Sequence, residues 1–264
     1  DLPGGNDLLV RAEALQPQVP DPVREARTAF YRARYWNAKH DPDKSREAFT
    51  RAALLAARAG DHRIVGVAAA NMVQLLLNNT RRPGEAVAWH AMLEVHLARG
   101  GSEDLRADLE ESQGVVAFNR RDYRAARDHA SRAVALYEQV AGRDKPNAIT
   151  ALQLLGQAIA QLDGAAAAEP TYRRALAIAE TAYGPEHPLV ATSLDVMAHY
   201  QMGATQAERE RARQTSERVL AIRERAYGPN HPLVSQSVGK LASISVDLGD
   251  LPRAQAYVER QLTI

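Results

Sequence analysis

LAIAETAYGPEHPLVATSL (residues 176–194) and LAIRERAYGPNHPLVSQSV (residues 220–238) carry one pattern twice. The shared core, Ala-Tyr-Gly-Pro-x-His-Pro-Leu-Val, sets His187 and His231 44 residues apart. A fainter copy lies upstream at residues 140–146, where Pro146 precedes Pro188 by 42 residues. Self-similarity at a period near forty, in a chain with helical apolar spacing, means stacked helical repeats that bury their faces on one another. The fold class expected is therefore all-α, an α-solenoid.

Residue by residue, the repeated stretch reads as a connector. Gly184 and Gly228 supply a positive-φ conformation that ends one helix, and Pro185 and Pro229 keep that helix from continuing. Pro188 and Pro232 suit the first turn of the next helix. His187 and His231 then fall near its cap, where an imidazole can bond exposed backbone groups, with Tyr183 and Tyr227 packed beneath the turn. Successive histidines lie one repeat apart, too far to share a metal ion. The motif sets register and is not itself a site.

Outward from it, the chain resolves into helix pairs. Residues 1–20 hold a short apolar-periodic run closed by Pro17 and Pro20, expected as an N-terminal capping helix. Asp21-Pro22 then opens a helix on which Val23, Ala26, Phe30 and Ala33 follow the helical period. Its partner spans 45–59 and closes at Gly60-Asp61, the glycine in the left-handed position after the helix. Further pairs are expected at 62–77 with 84–98, 105–118 with 122–140, and 147–161 with 165–183. The last two are 189–202 with 206–227, and 233–248 with 251–264. The spacing of 44 rather than 42 exposes an insertion at 204–211, so the helix near Gln206 is expected to begin a turn early.

These residues resemble the tetratricopeptide repeat in its kinesin-light-chain-like form. The resemblance is carried by Leu155-Gly156 and Leu241-Ala242 at first-helix crossings and by Gly249-Asp-Leu-Pro-Arg-Ala254 at a turn. It is carried also by Tyr172-Arg-Arg-Ala175-Leu176-Ala-Ile178 in a second helix and by the Tyr-Gly-Pro-x-His-Pro linker. It runs strongest over 143–264 and fainter over 21–142, as two halves of one continuous solenoid after the cap at 1–20. The order of divergent repeats followed by regular ones also resembles the C-terminal arms of bacterial multidomain proteins, many of them serine/threonine kinases. With no Met at Asp1, the chain is expected to be a piece of a longer protein.

The family resemblance implies a right-handed superhelix whose first helices line a concave groove that binds a peptide or partner domain. Counted from the small residue of each first helix, the groove wall would carry Asp108, Glu111, Thr150, Gln153, Gln157, Asp195, His199, Gln236 and Lys240. The function implied is a non-catalytic interaction scaffold. The alternative is a regulatory arm acting in cis on flanking domains of a larger enzyme.

Composition narrows the rest. Thirty-three basic and 32 acidic residues leave a net charge of +1, without the basic face that nucleic acid requires. The absence of cysteine excludes disulfides and thiolate chemistry. The longest apolar stretch, 64–77, is interrupted by Asn71 and Gln74 and is too short to span a bilayer. With no signal peptide, the chain is expected to be cytoplasmic. His40, His62, His90, His96, His129 and His199 show no ligand spacing, and no phosphate loop, dinucleotide fingerprint or nucleophile elbow is present. No catalytic residue, cofactor or metal is therefore assigned. Glu110-Glu111 reads as a solvated helix face, Arg209 to Arg213 as an exposed ion-paired helix, and Trp36 and Trp89 as fillers of the stack.

Overall fold

The computed structural model describes residues 21–39, 41–78, 82–99, 103–141, 146–203 and 205–264. Among these every regular element is helical. The chain divides into two compact units, Asp1–Val140 and Ala141–Ile264. The first contains α1 (Pro22–Ala38), α2 (Pro42–Arg58), α3 (His62–Asn78), α4 (Pro83–Ala98), α5 (Glu103–Asn119) and all but the last residue of α6 (Tyr123–Ala141). The second contains α7 (Ile149–Asp163), α8 (Ala165–Tyr183), α9 (Pro188–Tyr200), α10 (Gln206–Tyr227), α11 (Pro232–Asp247) and α12 (Leu251–Thr263). The capping helix expected within 1–20, residues 142–145 of the linker copy at 140–146, and Gly100-Gly101 lie outside the described residues.

In the second unit α7 packs on α8, α9 on α10 and α11 on α12, and each pair stacks on the next through α8–α9 and α10–α11 contacts. This is the helical-hairpin stacking that the period requires. The close crossing expected at Leu155-Gly156 is present. A Cβ on Gly156 would lie 2.5 Å from the ring of Tyr172 on α8, so only glycine admits that ring. Alanine does the same work more loosely elsewhere: Ala168, Ala212 and Ala254 are buried at matching points of the three second helices.

The connector behaves as its residues dictate. Gly184 and Gly228 have φ of 85° and 86°, and their N–H groups donate the last hydrogen bonds of α8 and α10, to the Glu180 and Glu224 carbonyls. His187 and His231 are the N-caps of α9 and α11. Each Nδ1 accepts at 3.2 Å from the backbone N–H two residues on, Leu189 or Leu233, a place usually given to Ser, Thr, Asp or Asn. Tyr183 and Tyr227 stack on these imidazoles, with ring centroids 4.8 and 4.6 Å apart. Partial burial holds the His187 pKa below its usual value, which keeps the ring neutral and able to accept. The insertion also acts as expected. A capping box between Thr205 and Glu208 starts α10 at Gln206, three residues ahead of the position matching the start of α8.

Three turns share one hydrogen-bond plan. At Gly60-Asp61, Arg121-Asp122 and Gly249-Asp250 the aspartate N–H reaches back to the carbonyl of Ala56, Ala117 or Ser245. Its carboxylate then caps the following helix. The first and third use glycine at φ of 71° and 78°, whereas Arg121 adopts φ of 63° with a full side chain. A left-handed residue with a Cβ costs about 1–2 kcal/mol. Arg121→Gly is therefore expected to stabilise the first unit by roughly 0.5–1 kcal/mol after the added entropy of unfolded glycine, read as a shift in urea midpoint at constant slope. A decrease in stability would contradict this account of the turn.

Candidate functional site

The first helices of the second unit lie side by side and are joined by a polar seam. Gln153 Nε2 of α7 donates to Ser193 Oγ of α9 at 2.9 Å. Lys240 Nζ of α11 donates to the Asp195 carboxylate of α9 at 2.7 Å and to the Asp195 carbonyl at 2.8 Å. Arg223, reaching in from α10, donates to the other Asp195 oxygen at 2.9 Å and to Ser237 Oγ at 2.7 Å. Burial alone would raise the Asp195 pKa, but Arg223 and Lys240 outweigh it and hold the carboxyl below its usual range. Gln153, Asp195 and Lys240 are thus spent on one another or on the helices behind them. Thr150, His199 and Gln236 are exposed and Gln157 is half-buried, which leaves these four able to reach a partner.

In the first unit the two expected groove residues, a half-buried Asp108 and a buried Glu111, belong to one cluster. Glu111 on α5 is 4% exposed, against both the expected solvated face and an open wall. The reason lies across the helix pair. Tyr137 of α6 donates to Asp108 Oδ1 at 2.6 Å and sits 3.0 Å from Glu111 Oε2, while Gln74 of α3 donates to the other Glu111 oxygen. Burial, reinforced by the Asp108 charge, pushes the Glu111 pKa up to about 7, and burial raises Asp108 to about 6. One phenolic proton cannot serve two carboxylates. A proton retained on Glu111 lets it donate to the tyrosine oxygen while the tyrosine donates to Asp108. Its neighbour Glu110 is also engaged, with His129 and Arg132 at 2.8 Å each.

The tryptophans part company. Trp89 packs on the cluster of Ala69, Ala70, Leu93 and Leu105, as a filler of the stack should. Trp36 does not. It is half-buried, with the Lys44 ammonium 4.3 Å from its ring centroid. It lines a cleft of about 340 Å³ between α1 and α2, together with Glu25, Arg32, Glu47 and Arg51. The face of a helix that a tryptophan occupies was legible only once its neighbours were placed. The Arg209–Arg213 stretch is ion-paired as expected: Arg213 bonds Glu210 and Glu217, although its side chain is 17% exposed and rests on the protein.

Among the described residues no group of three or more His, Asp or Glu is arranged to hold a metal ion, and no helix is long and apolar enough to cross a membrane.

Comparison with known proteins agrees with this geometry. Tetratricopeptide-repeat family models match residues 105–181 and 204–233, and the chain carries such repeats there. Among solved structures, BtubC (BKLC) from P. vanneervenii is similar at 19% identity and a TM-score of 0.56, over 93% of this chain and 91% of that one. RapI in its apo form is similar at 14% identity and a TM-score of 0.62, over 100% and 91%. The nearly identical TPR-like repeats of a putative kinesin light chain from Podosopora anserina match at 15% identity and a TM-score of 0.50, over 79% and 99%. Likeness at these identities speaks for the fold. Among curated proteins, none matches in sequence.

Proposed function

We propose that this chain is a non-catalytic interaction scaffold that binds an extended peptide or a partner domain along the first helices of its second unit. The observation that carries the reading is the division of labour on α7, α9 and α11. Gln153–Ser193 and Asp195–Lys240 tie adjacent first helices together, and Thr150, Gln157, His199 and Gln236 are left unspent between those ties. A wall stiffened by its own polar pairs and studded with uncommitted amide, hydroxyl and imidazole groups suits main-chain and polar side-chain recognition. Affinity there comes from several modest contacts along a strip, as repeat surfaces offer. The half-buried Asp108 and the buried Glu111 are assigned a structural role.

The test is selection of a displayed random-peptide library on the full chain, followed by fluorescence anisotropy with the recovered peptides. The combined change of Gln157, His199 and Gln236 to alanine is expected to weaken them at least tenfold, whereas Arg121→Gly leaves them unchanged. Recovered peptides whose affinity is indifferent to the triple change would overturn the assignment of this wall.

A further inference from the structure

The turn between α9 and α10 holds a feature that helical stacking does not require. A cleft of about 110 Å³ opens there, walled by Glu169 and Tyr172 of α8, Met197 and Tyr200 of α9, and Glu208 and Arg211 of α10. The insertion at 204–211 makes it, because the early start of α10 supplies Glu208 and Arg211. Gly203 turns the chain beside them, where a Cβ would collide with the Glu208 carboxylate.

Tyr172 closes the inner end. It is 2% exposed and stacks on Tyr200 with ring centroids 5.3 Å apart. Its hydroxyl is sealed from solvent, and no group stands in hydrogen-bonding position to it, Tyr200 included. Burial, with Tyr200 beside it, raises the Tyr172 pKa, so the hydroxyl keeps its proton and is a donor without an acceptor. A buried group of this kind is costly and calls for a reason. Gly156 accounts for the ring, which phenylalanine would supply equally well. Nothing in the stack accounts for the hydroxyl.

The other uncommitted groups at the cleft are donors too. Ala165 and Ala166 at its lip begin α8, whose first turn has neither a side-chain cap nor an acidic residue, and N–H groups so placed favour negative charge. Arg211 leans on the Ala207 carbonyl through Nε at 3.5 Å and forms no ion pair among the described residues. The two carboxylates are spent, Glu169 on Arg173 at 2.7 Å and Glu208 on the Thr205 hydroxyl and N–H at 2.7 and 3.0 Å. They also limit what enters, since a ligand with two negative charges would be repelled by them. Met197 and Tyr200 offer apolar surface to its carbon body.

We propose that this cleft binds a small aliphatic monocarboxylate, either a simple one or an amino acid, whose carboxylate accepts from the Tyr172 hydroxyl and pairs with Arg211. Both of those residues lie on second helices, so the proposal does not depend on the groove reading.

Propionate and L-alanine serve as probes, each titrated into the full chain and followed by saturation-transfer NMR. At least one is expected to saturate with a dissociation constant on the order of 1 mM, within reach of so few heavy atoms. The tighter of the two tells whether the bound acid carries an ammonium. Tyr172→Phe is expected to weaken binding about fivefold or more, yet to raise the urea midpoint measured without ligand, because it removes the orphan hydroxyl and keeps the ring. Arg211→Ala, at an exposed position, weakens binding with unchanged circular dichroism, and Val87→Ser on α4 leaves it unchanged. Saturation by neither probe overturns the proposal. So does succinate binding as tightly as the better probe, or a Tyr172→Phe variant that binds as the parent does. A fall in the urea midpoint of that variant would mean that the hydroxyl serves the fold, and overturns the proposal as well.

Discussion

Replacing Asp195 by alanine is expected to destabilise the second unit by about 3 kcal/mol while leaving α1–α6 untouched. Arg223 is 6% exposed and Lys240 stands beside it, both directed at one carboxylate. Removing that carboxylate leaves a buried guanidinium and an ammonium facing each other with no counter-charge. Breaking a buried pair from one side typically costs about 3–5 kcal/mol. Asp195 retains a side-chain exposure of 30%, so water can partly replace it, and the lower end of that range applies. An amide in place of the carboxylate would restore hydrogen-bond acceptance at one oxygen but not the charge, and Asp195→Asn should fall between parent and alanine. The pH dependence carries the same signature. Because the folded pKa is depressed, the stabilisation is full above the unfolded value and is lost as pH falls through the folded one. The alanine variant therefore loses this acid-sensitive component. Hydrogen exchange resolved by helix provides the check: weakened protection confined to α9–α11 is expected, and a uniform loss, or a change below about 1 kcal/mol, would refute the triad as the tie between these helices.

What could be read before any coordinates follows from where the physics is local. The Gly-Pro-x-His-Pro connector is legible because each residue acts on backbone within two or three positions. Gly184 reverses φ, Pro188 starts a helix, and His187 caps it, all without reference to a distant partner. Gly156 was legible for a related reason, since the repeat places the Tyr172 ring opposite it at a fixed distance along the chain. Side chains that act across helices were not legible. Nothing in Glu110-Glu111 distinguishes a carboxylate bonded at the rim from one sealed under Tyr137 and Gln74. The difference arises from the rotation of α5 against α3 and α6, and a shift of one residue in register exchanges the two. Asp195 and Lys240 were placed on the correct helices, yet a list of positions along a wall cannot reveal that two of them neutralise each other. Trp36 fails for the same reason, because its open cleft depends on the angle between α1 and α2. Arg121 could have been found: its turn aligns with Gly60-Asp61 and Gly249-Asp250, and the left-handed residue is implied by the aspartate that follows.

The buried acid pair makes the second large prediction, and its sign is opposite to that at Asp195. A carboxyl whose folded pKa is raised binds its proton more tightly when folded. Below about pH 4 both states are protonated and the group is neutral to stability. Between that value and about 7, the folded value for Glu111, the folded state holds a proton that the unfolded state has lost, so stability falls as pH rises. The groups facing the pair are Tyr137 from α6, Gln74 and Arg63 from α3, and Asp104 on α5 itself, none of which brings a cation against Glu111. Glu111→Gln keeps the shape and the acceptor for Gln74 but cannot ionise. It is expected to be more stable than the parent at pH 8 by on the order of 2 kcal/mol, to converge on the parent near pH 5, and to show a flatter profile between, with the remaining slope owed to Asp108. His96 contributes with the contrary sign, since burial and then the facing His62 lower its pKa and make the first unit less stable as pH falls. The difference between variant and parent cancels that contribution, because the His62–His96 contact, 2.9 Å between Nδ1 atoms, is common to both. Urea unfolding at pH 5, 6, 7 and 8 measures it. A Gln variant less stable than the parent at pH 8 would mean that Glu111 is held ionised and bonded there, and that Tyr137 serves Glu111 rather than Asp108.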